Sequence, residues 1–183
     1  MPRYVALLRG INVGRNKRVA MADLRRLLDG LGYTEVRTLL QSGNAVFTTP
    51  AGKPEKLARQ IEQAIEDELG LDVKCLVRTG EDMRAVVDGN PLGDMATDGA
   101  KLLALFLSEA PDATLLAAHD PTQLAPKEIQ LGDRVIYQWC PDGVMAAPPA
   151  GLFAEKHLNV TVTGRNWNTV TKLAALLTPP STR

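Results

Sequence analysis

The sequence predicts an α+β fold built from two consecutive β-α-β-β-α-β units with antiparallel sheets, followed by a C-terminal helix. Three observations carry that expectation. Short apolar runs alternate with stripes in which apolar residues recur every three or four positions. Glycine and proline mark the switches between them. The same order of elements then recurs after a break near residues 90–99. Strands and helices in that order make the ferredoxin-like arrangement, or alpha-beta plait. With 183 residues, 45% apolar and 23% charged, the composition excludes a disordered chain. At this length folding can bury roughly 70% of the unfolded surface without disulfides or metals.

The first unit reads as follows. Tyr4 to Arg9 is a short apolar run stopped by Gly10, a strand, and Gly10 to Val19 is a loop. From Met21, the residues Leu24, Leu27, Leu28 and Leu31 form an amphipathic helix closed by Gly32. Val36 to Leu40 and Ala45 to Thr49 flank Gln41-Ser42-Gly43-Asn44, which predicts a β-hairpin. Pro54 opens a helix whose stripe is Leu57, Ile61, Ala64, Ile65 and Leu69, and Gly70 ends it. Asp72 to Arg78 is the next strand.

Thr79, with Asp82 three residues on, predicts a capping box for a short helix at about 80–88. Asn90-Pro91-Leu92-Gly93-Asp94 then breaks the chain, and a linker runs to Gly99. Lys101 to Leu107 is a strand, and Asp112 to His119 a short helix after Pro111. Lys127 to Leu131 and Arg134 to Trp139 form a hairpin that turns at Gly132-Asp133. Pro148-Pro149 precede a helix at about 151–158, and Val160 to Val162 is a final short strand. Trp167, Val170, Ala174 and Leu177 fall at helical spacing, with an asparagine available as cap, and Thr178-Pro179-Pro180 stops the helix. The expected boundaries are therefore 1–79 and 100–164 for the two units, 80–99 for helix and linker, 165–178 for the last helix and 179–183 for a frayed tail. The halves share an order of elements without visible identity, so duplication stands as a hypothesis.

No segment approaches the ~18 uninterrupted apolar residues of a membrane span, and the first apolar run ends at Arg9, too early for a signal peptide. The expectation is a soluble cytoplasmic protein with no membrane partner. Cys75 and Cys140 lie far apart in apolar runs and belong to no CxxC or metal-spaced pair. They read as reduced, buried residues. The 21 basic and 21 acidic side chains sum to zero, yet their positions are unequal. Residues 1–26 carry Arg3, Arg9, Arg15, Lys17, Arg18, Arg25 and Arg26 against Asp23, or +6. Residues 155–183 carry Lys156, Arg165, Lys172 and Arg183 against Glu155, or +3, which leaves −9 between them.

Three segments carry a family resemblance. Leu7-Leu8-Arg9-Gly10-Ile11-Asn12-Val13-Gly14, Gln41-Ser42-Gly43-Asn44 followed by Val46-Phe47, and Arg165-Asn166-Trp167-Asn168-Thr169-Val170 followed by Lys172-Leu173 together resemble an uncharacterised bacterial family, domain of unknown function 1697. The resemblance implies two ferredoxin-like halves and no assigned activity. Where the family loop commonly continues with a second glycine after Val-Gly, this chain has Arg15.

In a β-α-β-β-α-β sheet the first and second strands run the same way. The loop after the first strand and the hairpin turn after the second therefore meet at one end. This gathers Arg9, Gly10, Asn12, Gly14, Arg15, Lys17, Arg18, Ser42 and Asn44 on one rim. Glycines let backbone approach a ligand, N–H groups before a helix favour negative charge, and Arg and Lys add charge-assisted hydrogen bonds. The loop is neither a Walker A nor a GxGxxG sequence. Arg165 and Asn166, just before the last helix, are further candidates. The predicted ligand is an anionic small molecule: a nucleotide, phosphate or carboxylate. The alternative is a non-catalytic nucleic-acid-binding or protein-interaction module on the same scaffold, although its strands offer little stacking surface beyond Tyr4 and Phe47. His119 and His157 have no evident partner in the sequence and read as surface or helix-end residues. No reaction, cofactor, metal or oligomeric state is assigned.

Overall fold

Residues 1–179 are described by the computed structural model, so the expected tail lies, from residue 180, outside the described residues. Two compact units divide the chain: Met1–Met83 together with the segment from Leu173 onward, and Arg84–Lys172.

In the first unit, β1 (Arg3–Leu8) is apolar from Tyr4 onward and buried along that length. It precedes α1 (Met21–Gly30), whose Met21, Leu24, Leu27 and Leu28 are buried as the three-and-four spacing predicts. The hairpin strands are β2 (Thr34–Leu39) and β3 (Asn44–Thr48). Helix α2 (Pro54–Leu69) has proline in its first turn and ends on Gly70, whose φ of 66° lets its N–H reach Glu66 O. β4 (Cys75–Thr79) completes an antiparallel sheet of order β2-β3-β1-β4. Tyr4, Ala6, Leu8, Ala45, Phe47, Cys75 and Val77 pack on one face of that sheet with the apolar stripes of α1 and α2.

Register along β2 is not regular. Thr34 pairs with Thr48 and Arg37 with Val46, so three steps on β2 oppose two on β3, a one-residue bulge.

Helix α3 (Gly80–Asp88) starts with the predicted capping box. Thr79 N–H donates to Asp82 Oδ2 and Asp82 N–H donates to Thr79 Oγ1, each at 3.0 Å. Asp82→Ala is expected to cost about 1 kcal/mol, read as a lower urea midpoint at unchanged slope.

The second unit holds β5 (Leu102–Leu107), α4 (Ala113–Ala118), β6 (Ile129–Gly132), β7 (Val135–Trp139), α5 (Ala150–His157) and β8 (Val162–Asn166). Its antiparallel sheet has the order β6-β7-β5-β8, the arrangement of the first sheet repeated. Leu105, Leu107, Ile129, Ile136 and Val162 pack with Ala150, Ala154 and Leu158 of the α5 region. Tyr137 is buried and donates from its hydroxyl to Val86 O at 2.7 Å. Burial pushes its phenol up to about 12, so it stays a neutral donor. Both cysteines are buried and neither forms a disulfide.

The last strand departs from expectation. It was expected at Val160 to Val162, but it starts at Val162 and runs to Asn166, pairing Val162 through Asn166 with Leu107 through Leu103. Gly164, Arg165 and Asn166 have weak strand propensity, and the ladder with β5 overrides it. Helix α6 (Trp167–Leu177) then starts where the Trp167 spacing predicts, with Asn166 Oδ1 accepting from Thr169 N–H at 3.0 Å. Among the described residues no helix is long and apolar enough to cross a membrane.

Candidate functional site

The rim predicted from topology forms within the first unit. Leu8 N–H donates to Gly43 O at 2.9 Å, and Asn12 Nδ2 donates to Gln41 O at 2.7 Å. The loop after β1 therefore touches the β2–β3 turn directly.

Four loop residues have positive φ: Gly10 (66°), Asn12 (55°), Gly14 (62°) and Lys17 (49°). These repeated reversals fold the loop back on itself. An antiparallel bridge joins Val13 to Asn16 around Gly14-Arg15, and Asn12 N–H reaches Lys17 O at 3.1 Å. Of the two central residues only Gly14 has positive φ, so the turn favours glycine at its first central position alone. Arg15 takes the second central position, which has no need of glycine.

Asn12 holds this loop together. Its Oδ1 accepts from Val19 N–H at 2.9 Å while its Nδ2 donates to Val19 O at 2.9 Å and to Gln41 O. Both amide hydrogens are thereby engaged by backbone, and asparagine tolerates the left-handed conformation this requires. Asn44 plays the same part in the turn. It is fully buried, and its Nδ2 donates to Leu39 O at 2.8 Å and Ser42 Oγ at 3.0 Å. Lys17 Nζ donates to Asp72 O at 2.7 Å, and Arg9 N–H donates to Lys74 O at 2.9 Å. Asn12, Lys17, Ser42 and Asn44 thus support the shape of the rim through their own side chains.

Arg15 and Arg18 are exposed and have no side-chain partner among the described residues. The loop delivers the chain to Ala20, the N-cap of α1, which supplies no side-chain cap to the helix's first N–H groups. Asp23 in that first turn is paired with Arg26 at 2.6 Å.

Arg165 and Asn166 belong to the second unit. Arg165 is buried and donates from one nitrogen to Thr163 Oγ1 at 2.8 Å and Gly164 O at 2.9 Å. Asn166 caps α6. Each has a role inside its own unit.

The aromatic residues weigh against base stacking on the first sheet. Tyr4, Tyr33 and Phe47 lie in the core beneath α1 and α2, with Phe47 stacked on Tyr33 at 4.5 Å and on Tyr4 at 5.8 Å. They are enclosed by helices and present no platform to a base.

The histidines have a partner that their separation in sequence hides, each other. The rings of His119 and His157 stack at 4.4 Å, and Phe153 lies 4.6 Å from His157. Desolvation lowers the pKa of His157, and His119 and Lys156 lower it further. A histidine whose folded pKa lies below its unfolded value is protonated first in the unfolded chain. Stability is therefore present above about pH 6.5 and declines as pH falls below it. Thermal unfolding compared between about pH 8 and pH 5 should show this acid loss in the native chain and a smaller one in His119→Gln. An equal loss in both would dismiss the pairing as its source. Among the described residues no three His, Cys, Asp or Glu side chains converge as a metal site.

No curated protein matches the chain. A solved structure described as the conserved bacterial protein SP0830 from Streptococcus pneumoniae is similar over 97% of this chain and 98% of its own, at 26% identity and a TM-score of 0.71. The family model described as a protein of unknown function, DUF1697, matches residues 1–137. That stretch contains the whole first unit's sheet, the basic loop, the hairpin turn, β5, β6 and the first part of β7. The chain belongs to the DUF1697 family of proteins of unknown function.

Proposed function

We propose that the protein binds an anionic small molecule, a nucleotide, phosphate or carboxylate, at the basic loop between β1 and α1. The observation that carries this reading is the pair of exposed guanidiniums of Arg15 and Arg18. They have no side-chain partner among the described residues, on a loop whose shape is fixed by Asn12. Pre-shaping the loop lowers the ordering cost of binding. Guanidinium donors offer carboxylate or phosphate a two-pronged contact, and the first turn of α1 adds partial positive charge. Lys17 contributes charge from the same loop while its ammonium stays tied to Asp72 O.

A thermal-shift panel of nucleotides, sugar phosphates and small carboxylates tests the reading. A true ligand at a hundred times its Kd should add about 2.7 kcal/mol of stability. The double variant Arg15→Ala with Arg18→Ala should fold normally and lose the shift. An unchanged shift in that variant, or none with any compound, overturns the proposal.

A further inference from the structure

A groove lies elsewhere in the first unit, on the sheet face opposite the α1 and α2 core. The bulge in β2 creates it. Thr34 and Arg37 stand three positions apart, a spacing that puts residues of a regular strand on opposite faces. Their partners Thr48 and Val46 stand two apart, on one face of β3. The bulge therefore brings Thr34 and Arg37 to the same side. The extra residue includes Glu35 at φ 52°, a left-handed conformation that a side-chain-bearing residue holds only when its surroundings fix it.

What fixes Glu35 is a set of polar contacts. Thr48 Oγ1 donates to Glu35 Oε2 at 2.8 Å, and the Arg3 guanidinium lies 3.6 Å from Glu35 Oε1. Arg3 also donates to Leu176 O at 3.4 Å. The Arg37 side chain has no hydrogen-bond or ion-pair partner among the described residues. Arg3, Glu35, Arg37, Val46 and Leu176 line a groove of about 200 Å³. That volume lies below the range for drug-sized ligands. It suits a molecule the size of a single amino acid.

We propose that this groove binds a small zwitterion of the α-amino acid class, with the ligand carboxylate on Arg37 and its ammonium on Glu35. The charge pattern selects this class. Arg37 supplies an open fork for a carboxylate, while Glu35, held by Arg3 and Thr48, keeps carboxylate lone pairs with which to accept an ammonium. A simple anion satisfies one side of the groove and a simple amine only the other. The residues are distinct from Arg15 and Arg18, so the site stands independently of the loop.

Two-dimensional 15N NMR titration of the full chain tests it, using a panel of standard amino acids with acetate, methylamine and inorganic phosphate as probes. Amino acids should move the resonances of residues 34–37 and 48, and each half-ligand should bind more weakly by about tenfold or more. Arg37→Ala should weaken amino-acid binding by about tenfold, with Arg37→Lys recovering part of it because charge returns without the fork. Glu35→Gln keeps a hydrogen-bond acceptor for Thr48 and should bring amino-acid affinity down to that of acetate. The proposal fails if no amino acid moves these resonances, if phosphate or acetate moves the same resonances with equal affinity, or if Arg37→Ala binds amino acids like the native chain. Arg15→Ala with Arg18→Ala should leave this titration unchanged.

Discussion

Phe47→Ala is expected to destabilise the first unit by about 3–5 kcal/mol, at the upper end for a large-to-small change. Phe47 has no exposed surface, and its ring lies stacked between Tyr33 and Tyr4 with interplanar angles of 10° and 24°. The loss includes its transfer free energy and the two ring pairings, each worth about 0.5–1.5 kcal/mol beyond buried area. It also includes a cavity term, and the surroundings are poorly placed to reduce that. Tyr4 is anchored by its hydroxyl, which donates to Gly52 O at 3.2 Å and accepts from Gly52 N–H at 3.1 Å. Tyr33 hydroxyl donates to Gln60 Oε1 at 3.3 Å. Neither ring can move into the space without straining or breaking its polar contact. Against a domain stability of roughly 5–15 kcal/mol, the change removes a large fraction. Urea unfolding followed by circular dichroism reads the loss, and Phe47→Leu should restore much of it. A cost below about 1 kcal/mol for Phe47→Ala would show that the two tyrosines close the gap.

The parts of this molecule that were legible in the sequence are those set by periodicity and topology. The stripe from Leu57 to Leu69 specified α2, and the order of elements alone placed the Gly10 loop beside the Ser42-Gly43 turn, where Asn12 meets Gln41 O. Illegible were features settled by one particular register. Residues Gly164 to Asn166 join a strand because β5 offers a ladder, and nothing in their propensities announces it. Glu35 and Arg37 reach one face through a bulge that no alternation reveals. Asn12 was legible as an important polar residue, but a carboxamide that closes a loop and one that meets a ligand look alike in sequence. The stacking of His119 on His157 depends on where α4 and α5 end, a tertiary fact.

Registers also make a stronger case for duplication than residue identities do. Val5 lies between Val46 and Arg78 in the first sheet, and Ala104 lies between Tyr137 and Arg165 in the second. Both arginines are buried, and each donates to the carbonyl of the residue before it, Val77 or Gly164. In each sheet the next residue, Thr79 or Asn166, caps the following helix. A strand that ends in a buried arginine and then a cap is thus repeated at corresponding register positions. A buried guanidinium is costly unless it is hydrogen-bonded, so chance recurrence at the same place in two identical topologies is a poor explanation. The second loop does not share the first one's chemistry: between β5 and α4 the chain has Glu109 and Asp112, where the first unit has Arg9, Arg15, Lys17 and Arg18. Opposite loop charge on a common scaffold accounts for part of the uneven division of charge: four of the seven basic groups in residues 1–26, and two of the acids in residues 27–154.

Gly43→Ala is the test of that basic rim that leaves every charge in place. Gly43 has a φ of 88°, a conformation that costs an ordinary residue about 1–2 kcal/mol. A β-carbon there would stand 2.7 Å from Leu8 Cβ and 2.7 Å from Ile11 Cδ1. The isoleucine methyl can rotate away, but Leu8 Cβ is fixed to the β1 backbone, which also donates from Leu8 N–H to Gly43 O. The turn must therefore move away from β1, adding an overpacking cost of about 1–3 kcal/mol and giving a total of about 2–5 kcal/mol. That movement carries Gln41 O away from Asn12 Nδ2, and with it one of the contacts that hold the loop in shape. If Arg15 and Arg18 bind an anion because the loop is pre-shaped, Gly43→Ala should weaken binding although neither arginine is touched. Isothermal titration under conditions where the variant is fully folded separates the two effects. Reduced stability with native affinity would mean that the guanidiniums act without help from the hairpin turn, whereas loss of both ties the anion site to the close approach that only glycine allows.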